Sequence, residues 1–187
     1  MQRISFFFRN FVKNFVRDTM TKKTRIYIDT SIVGGFFDKE FEIETKALFD
    51  RLENKEVVFI VSSLLEQELI KAPQHVRELL SKYDEDCFEY VETTVEAGQL
   101  AELYITEKVI GESCLEDCQH IAIATVNKAD VLASWNFKHI VNLDRIRGYN
   151  GVNMKMGYAI LEIRNPRELV DTVEFRNPKN WINHGNN

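Results

Sequence analysis

Short apolar runs alternate along this chain with segments whose apolar residues recur every three or four positions. Runs rich in β-branched and aromatic residues favour strands, and the longer period favours amphipathic helices. Strands that alternate with helices predict an α/β fold with a mainly parallel central sheet flanked by helices. The predicted strands are 25–29, 57–61, 88–91, 131–134 and, as a late edge strand, 158–163.

Helices are predicted in most of the intervening segments, whereas residues 136–157 are turn-rich and aromatic. The predicted helices are a short one capped by Thr30 or Ser31 and ending at Phe37, 40–54, one capped by Ser62 or Ser63, one from Pro73 to about Tyr83, 93–108, 115–127 and a short one after Pro166. The pattern predicts an α/β domain over 25–170, preceded by an extension, 1–24, and followed by a polar tail, 171–187.

If the extension is helical, its apolar residues fall on one face of the helix, with a basic stripe beside them. Such a helix can lie on a membrane surface or dock a partner, or it can be an upstream extension with Met20 as the natural start. The chain contains neither a run of about 18 apolar residues nor the apolar centre of a secretory signal, so we expect a cytoplasmic protein without membrane insertion. The apolar face consists of Ile4, Phe7, Phe8, Phe11, Val12 and Phe15, and the stripe of Arg9, Lys13 and Arg17.

Composition and charge narrow the functional classes. A chain of 187 residues with 44% hydrophobic and 28% charged residues suits one globular domain. The net charge of −5 argues against a broad nucleic-acid-binding face and leaves room for a small basic rim or a basic partner protein. The candidate rim residues are Lys22, Lys23, Arg25, Arg145 and Arg147.

The three cysteines, Cys87, Cys114 and Cys118, indicate no disulfide framework. Cys114 and Cys118 are one helical turn apart and lack the two-residue separation of a zinc knuckle. We therefore expect reduced structural thiols.

Polar residues occur where predicted strands pass into helices, and also at the start of the apolar helix 115–127. They are Asp29, the pair Glu66 and Glu68, Asp117 and Asn136. Ligands of parallel α/β sheets bind outside the carboxyl ends of the strands, so these side chains are expected to form one acidic cup. Hard divalent cations prefer such oxygen ligands, and the pattern indicates metal-assisted phosphodiester chemistry.

Four segments resemble the PIN domain family, specifically the VapC-type toxin ribonucleases of type II toxin–antitoxin systems. They are Ile26-Tyr27-Ile28-Asp29-Thr30-Ser31, the segment 61–69 with its Glu68-Leu69, Asp117-Cys118-Gln119-His120-Ile121-Ala122-Ile123-Ala124, and Leu132-Ala133-Ser134-Trp135-Asn136. The resemblance implies a PIN-like fold and Mg²⁺- or Mn²⁺-dependent cleavage of RNA by a metal-activated water. It also implies an antitoxin partner and a homodimer.

The resemblance also implies roles for individual residues. Asp29, Glu68 and Asp117 would be both metal ligands and catalytic residues, and Asn136 would complete the catalytic set. The resemblance selects Glu68 over Glu66, because Glu68 falls at the family's glutamate position. Some family members have aspartate at the position of Asn136. Asparagine can orient a metal-bound water but adds no charge, which leaves one-metal and two-metal occupancy open.

Each candidate has an alternative structural interpretation. Asp29 could only cap a helix, Asp117 could be a helix-terminal charge, Glu68 a solvated charge and Asn136 a turn residue. Three further interpretations concern other polar and aromatic residues. His120 shares a helix face with Asp117, and His139 and Asn142 line or support the cleft. Trp135 either stacks a base or packs in the core.

Two other functions compete with the nuclease. One is a non-catalytic PIN-like scaffold that binds RNA or protein. The other is a metal phosphatase with a nucleophilic aspartate, which would have a second aspartate where this chain has Ser31.

Overall fold

The sheet of this protein, seen in a computed structural model that describes residues 23–170, contains five parallel strands. Their order across the sheet is β3-β2-β1-β4-β5. The predicted α/β fold with a parallel sheet flanked by helices is therefore confirmed. The strands are β1 (Thr24–Ile28), β2 (Val57–Ser62), β3 (Phe88–Val91), β4 (Val131–Ala133) and β5 (Ile163–Arg164).

Helices cover both faces of the sheet, as they must when strands are connected in parallel. Alternate residues of the central strand enter different cores: Tyr27 packs with α5, α6 and α7, whereas Ile26 and Ile28 pack with α1, α2 and α3. The helices are α1 (Thr30–Gly35), α2 (Glu42–Glu53), α3 (Ser63–Leu69), α4 (Gln74–Arg77), α5 (Val95–Thr106), α6 (Leu115–Val126) and α7 (Leu143–Lys155).

The strand order creates a crevice beside the central strand. From β1 the chain adds β2 and β3 on one side, and β4 and β5 follow on the other side. Ligands of open α/β sheets bind at such a switch point, outside the carboxyl ends of the strands. Asp29 directly follows β1 and Ser134 directly follows β4, so both residues lie at this edge.

Helix α7 occupies most of the segment 136–157, which the sequence pattern describes as turn-rich and aromatic. Gly148 and Gly151 lower the helix propensity of this segment and obscure its pattern. The helix forms because Asn142 caps it, its side chain accepting a bond from the Arg145 N–H, and because Tyr149 is fully buried. A Cβ at Gly148 would come within 2.6 Å of Val109, which explains the glycine there.

Other boundaries differ from the predictions. The edge strand β5 is limited to Ile163–Arg164, and residues 158–162 are not a strand. The helix after Pro73 ends at Arg77, and a 3₁₀ turn, Leu80–Lys82, follows. Asp29, and neither Thr30 nor Ser31, caps α1. The short helix after Pro166 is present over 166–170.

The predictions for the N-terminal face, the basic stripe and the polar tail lie outside the described residues. Within residues 23–170, no helix combines the length and the apolar character that crossing a membrane requires.

Candidate active site

Asp29 is the most buried carboxylate of the predicted set, with 4% of its surface exposed. Its Oδ1 accepts hydrogen bonds from the Ser31 hydroxyl at 2.5 Å and the Ile32 N–H at 3.3 Å, and its Oδ2 accepts one from the Ser134 hydroxyl at 2.6 Å. Burial raises the pKa of Asp29, and the charge of His120 and these hydrogen bonds offset only part of that effect.

Two serines connect the ends of the two central strands. The Ser31 hydroxyl accepts a bond from the Trp135 N–H at 2.8 Å, and the Ser134 hydroxyl accepts one from the Asn136 N–H at 2.9 Å. Both serines also donate to Asp29, so the carboxylate is held from β1 and from β4 together. The motif segments contained both serines, but sequence reasoning did not identify them as site residues.

Asp117 lies in the first turn of α6 and contacts the segment after β4. Its Oδ1 accepts a hydrogen bond from Asn136 Nδ2 at 2.8 Å, and its Oδ2 lies 2.8 Å from His139 Nδ1. The Asn136 side-chain oxygen accepts a bond from the His139 N–H at 3.0 Å. The Asn136 side chain therefore bridges Asp117 and His139. The backbone N–H of Asn136 donates to Ser134, so the same residue also connects Asp117 to the serine that holds Asp29.

Glu68 belongs to a second network of hydrogen bonds. The Thr30 hydroxyl donates to Glu68 Oε2, and His120 Nε2 lies 3.1 Å from the same oxygen. His120 Nδ1 lies 2.7 Å from the Tyr27 hydroxyl, which in turn lies 2.7 Å from the Ser62 hydroxyl.

The pKa of Glu68 is lowered, because although burial acts to raise it, the bond and charge of His120 outweigh that effect. Glu68 therefore keeps its charge to a lower pH than an ordinary glutamate, in contrast to Asp29.

Glu66 and the other candidates have different surroundings. Glu66 is exposed and lines a separate surface pocket with Arg77 and Tyr90. Trp135 is buried, donates from Nε1 to Thr45 Oγ1 at 2.9 Å and stacks on Phe41, which is the packing role.

The predicted basic rim does not form as one group at the described positions. Arg25 lies near the amino end of β1, the end opposite to Asp29, and pairs with Glu89. Arg145 donates to the Val109 carbonyl, and Arg147 lies 3.8 Å from Asp144. Lys22 lies outside the described residues.

Asp29, Glu68 and Asp117 place carboxylates beyond the carboxyl ends of the strands, and such oxygen ligands suit a hard divalent cation. Within residues 23–170 their oxygens do not form a group of three that lie within 4.8 Å of one another. A tighter group also occurs among the described residues. The ligand atoms of Cys114, Asp117 and His139 lie within 4.8 Å of one another, and this group contains neither Asp29 nor Glu68. Asp117 is thus common to two possible metal environments with different ligand chemistry.

No protein-family model matches the chain, and no curated protein matches it. One solved structure to which it is similar is the crystal structure of VapBC2 from Rickettsia felis bound to a DNA fragment from their promoter, with 15% sequence identity and a TM-score of 0.48. The similarity covers 76% of this chain and 98% of that chain. That degree of similarity is too low to transfer an activity or a partner.

Proposed function

We propose that this protein is a Mg²⁺- or Mn²⁺-dependent endoribonuclease with a PIN-like domain over residues 25–170. The observation that carries the proposal is the arrangement at the switch point. Carboxylates from three elements, Asp29 after β1, Glu68 on α3 and Asp117 on α6, are tied into the hydrogen-bond networks of one sheet edge. The same three residues are those that the motif resemblance selects.

In this proposal Asp29, Glu68 and Asp117 hold the ion. A bound divalent cation supplies a nucleophilic water at neutral pH and stabilises the charge that develops on the scissile phosphate. His120 and Thr30 fix the orientation of the Glu68 carboxylate and keep it ionised. Asn136 positions Asp117 through its side-chain amide. The same amide can orient a water molecule, although it adds no charge to the site. No serine or cysteine nucleophile is required.

Assembly and biological role follow from the motif resemblance alone. On that basis the protein is the toxin of a toxin–antitoxin pair, acts in the cytoplasm as a homodimer and is inhibited by an antitoxin protein. Light scattering of the purified protein tests the dimer. The antitoxin is tested by expressing this protein in cells together with the reading frame adjacent to its gene. If that reading frame encodes the antitoxin, it should restore growth that this protein alone stops.

The decisive experiment measures cleavage of single-stranded RNA by the purified protein. Chelation with EDTA should stop cleavage, and Mg²⁺ or Mn²⁺ should restore it. Asp29→Asn and Asp117→Asn should each reduce the rate at least ~100-fold, because each removes a charge that the cation needs. Glu66→Gln is the matched control and should retain the rate, since Glu66 is exposed and outside the network. Cleavage by EDTA-treated protein at the full rate would refute the mechanism.

One observation favours a non-catalytic RNA- or protein-binding scaffold as the alternative. Both carboxylate oxygens of Asp29 already accept hydrogen bonds within the protein, and the residue is almost fully buried. If the purified protein binds RNA and cleaves none with either metal, the scaffold replaces the enzyme.

A further inference from the structure

Cys114, Asp117 and His139 form a cluster whose chemistry differs from that of the carboxylate site. The Cys114 sulfur lies 3.7 Å from His139 Nε2, and His139 Nδ1 lies 2.8 Å from Asp117 Oδ2. The cluster therefore joins a thiol, an imidazole and a carboxylate, a ligand set that suits Zn²⁺ and that Mg²⁺ does not prefer.

We propose that these three residues bind Zn²⁺, or another borderline-soft divalent cation, and that this binding inhibits the nuclease by occupying Asp117. The binding half of the proposal stands on the cluster alone. The inhibitory half rests on the proposed function, in which Asp117 holds the hard cation.

The distances fit a zinc ion closely. A tetrahedral zinc with bonds of about 2.3 Å to sulfur and about 2.1 Å to nitrogen separates these two atoms by about 3.6 Å. The observed separation of Cys114 Sγ and His139 Nε2 is 3.7 Å. One ligand atom each from Cys114, Asp117 and His139 lies within 4.8 Å of the others. Asp117 Oδ2 now contacts His139 Nδ1, so this carboxylate must leave that nitrogen and turn toward the ion to become the third protein ligand. Water would take the fourth position, as in sites with three protein ligands.

The surrounding structure holds Cys114 and His139 in place before any ion binds. Cys114 ends a 3₁₀ turn, Glu112–Cys114, that leads into α6, and only 7% of its surface is exposed. His139 is fixed at both backbone polar groups, since its N–H donates to Asn136 and its carbonyl accepts a bond from the Tyr149 hydroxyl at 2.9 Å. A preorganised site loses little side-chain freedom on binding.

Sharing Asp117 makes the two ions compete for one carboxylate. Its two oxygens already contact Asn136 and His139, and a carboxylate drawn to a thiolate-bound ion leaves the carboxylate cup with one ligand fewer. Thiolate and imidazole ligands favour zinc over magnesium, so zinc should prevail at Asp117 even when magnesium is in large excess.

The test of binding uses Co²⁺ as a spectroscopic substitute for zinc in the metal-free full chain. Tetrahedral Co²⁺ bound to a thiolate gives a sulfur-to-cobalt charge-transfer band, and Zn²⁺ should abolish it at one equivalent. Cys114→Ser should lose the band, and His139→Gln should weaken binding at least ~10-fold. Cys118→Ala is the matched control and should keep the band, because Cys118 is a buried cysteine one helical turn further along α6 and outside the cluster. A band that persists in Cys114→Ser, or no Co²⁺ binding by the folded wild type, would overturn the proposal.

The test of inhibition compares Mg²⁺-dependent cleavage with and without one equivalent of Zn²⁺ within each protein. Zinc should slow the wild type and Cys118→Ala at least ~10-fold and should leave the ratio near one in Cys114→Ser. Equal inhibition of all three proteins would refute a role for the cluster. If no RNA is cleaved under any condition, the proposed nuclease fails, while the Co²⁺ spectrum still decides whether the zinc site exists.

Discussion

Replacing Asp29 with asparagine should stabilise the metal-free protein while it abolishes cleavage. Asp29 is a carboxylate with 4% of its surface exposed, and burial of a charge costs free energy that hydrogen bonds must offset. The raised pKa shows that the offset is incomplete. An asparagine keeps the shape and carries no charge. Its amide oxygen can accept the bonds from Ser31 and Ile32, whereas its amide nitrogen can only donate, so the Ser134 hydroxyl must accept that bond and donate elsewhere.

The size of the effect follows from the three hydrogen bonds to Asp29. A bond to a charged acceptor contributes about 1.5–3 kcal/mol and a neutral one about 0.5–1.5 kcal/mol, so asparagine loses about 1 kcal/mol at each bond. Removing the buried charge returns several kcal/mol. We therefore expect a net stabilisation of about 1–2 kcal/mol at neutral pH, or about 2–8 °C in melting temperature for a protein of this size.

The pH dependence has a definite sign. Because the folded pKa of Asp29 is raised, the buried charge destabilises the wild type above that pKa, and the penalty is absent below the unfolded value of about 3.9. The stability difference between Asp29→Asn and wild type should thus be largest at neutral pH and shrink as the pH falls through the raised pKa.

The assay is thermal and urea denaturation followed by circular dichroism, in EDTA, because a bound ion would stabilise only the wild type. Glu66→Gln serves as the control and should show no such pH-dependent difference, since Glu66 is exposed. If Asp29→Asn is less stable than wild type by more than about 1 kcal/mol at neutral pH, its hydrogen bonds outweigh the burial cost. Asp29 would then be primarily a structural cap of α1.

Two further substitutions test the network around Asp29 and Asp117. Asn136→Asp should keep the fold and tighten Mn²⁺ binding about tenfold in a calorimetric titration, because it adds a fourth carboxylate 2.8 Å from Asp117; unchanged affinity would place residue 136 outside the ion's ligands. Ser134→Ala should lower the free energy of unfolding in urea by about 2–4 kcal/mol, because a buried hydroxyl that donates to Asp29 and accepts from the Asn136 N–H is lost. A cost below about 1 kcal/mol would mean that water replaces the hydroxyl.

The architecture could be predicted because its signals are local. The apolar runs of β1 and β2 and the small apolar residues of α6 are contiguous in sequence, and each is buried in the fold. Helix α7 was missed because Gly148 weakens its helix propensity, although Asn142 before it and the three-residue spacing of Ile146, Tyr149 and Val152 were detectable signals.

The site could be predicted only in part, because its contacts depend on strand pairing. Asp29, Glu68, Asp117 and Asn136 were identified from strand ends and motif spacing. The bond from Ser134 to Asp29 joins residues 105 positions apart and exists because β1 and β4 are neighbours in the sheet. The local spacing of the cysteines does not indicate the cluster at Cys114, because the imidazole near this thiol comes from a segment 25 residues later.

The opposite pKa directions of Asp29 and Glu68 bear on how an acidic protein could accept RNA. With a net charge of −5, three fully exposed carboxylates at one edge would repel a phosphate backbone before any ion is bound. Asp29 is instead buried under two serine hydroxyls, and Glu68 is paired with His120, so both charges are partly compensated within the protein. Asp117 remains partly exposed, held by Asn136 and His139. Glu68 and Asp117 are about equally exposed, with 22% and 23% of their side-chain surfaces accessible to solvent. Asp117 is the one that both candidate metal sites share, so an ion held by Cys114 and His139 would also change the ligands of the carboxylate site.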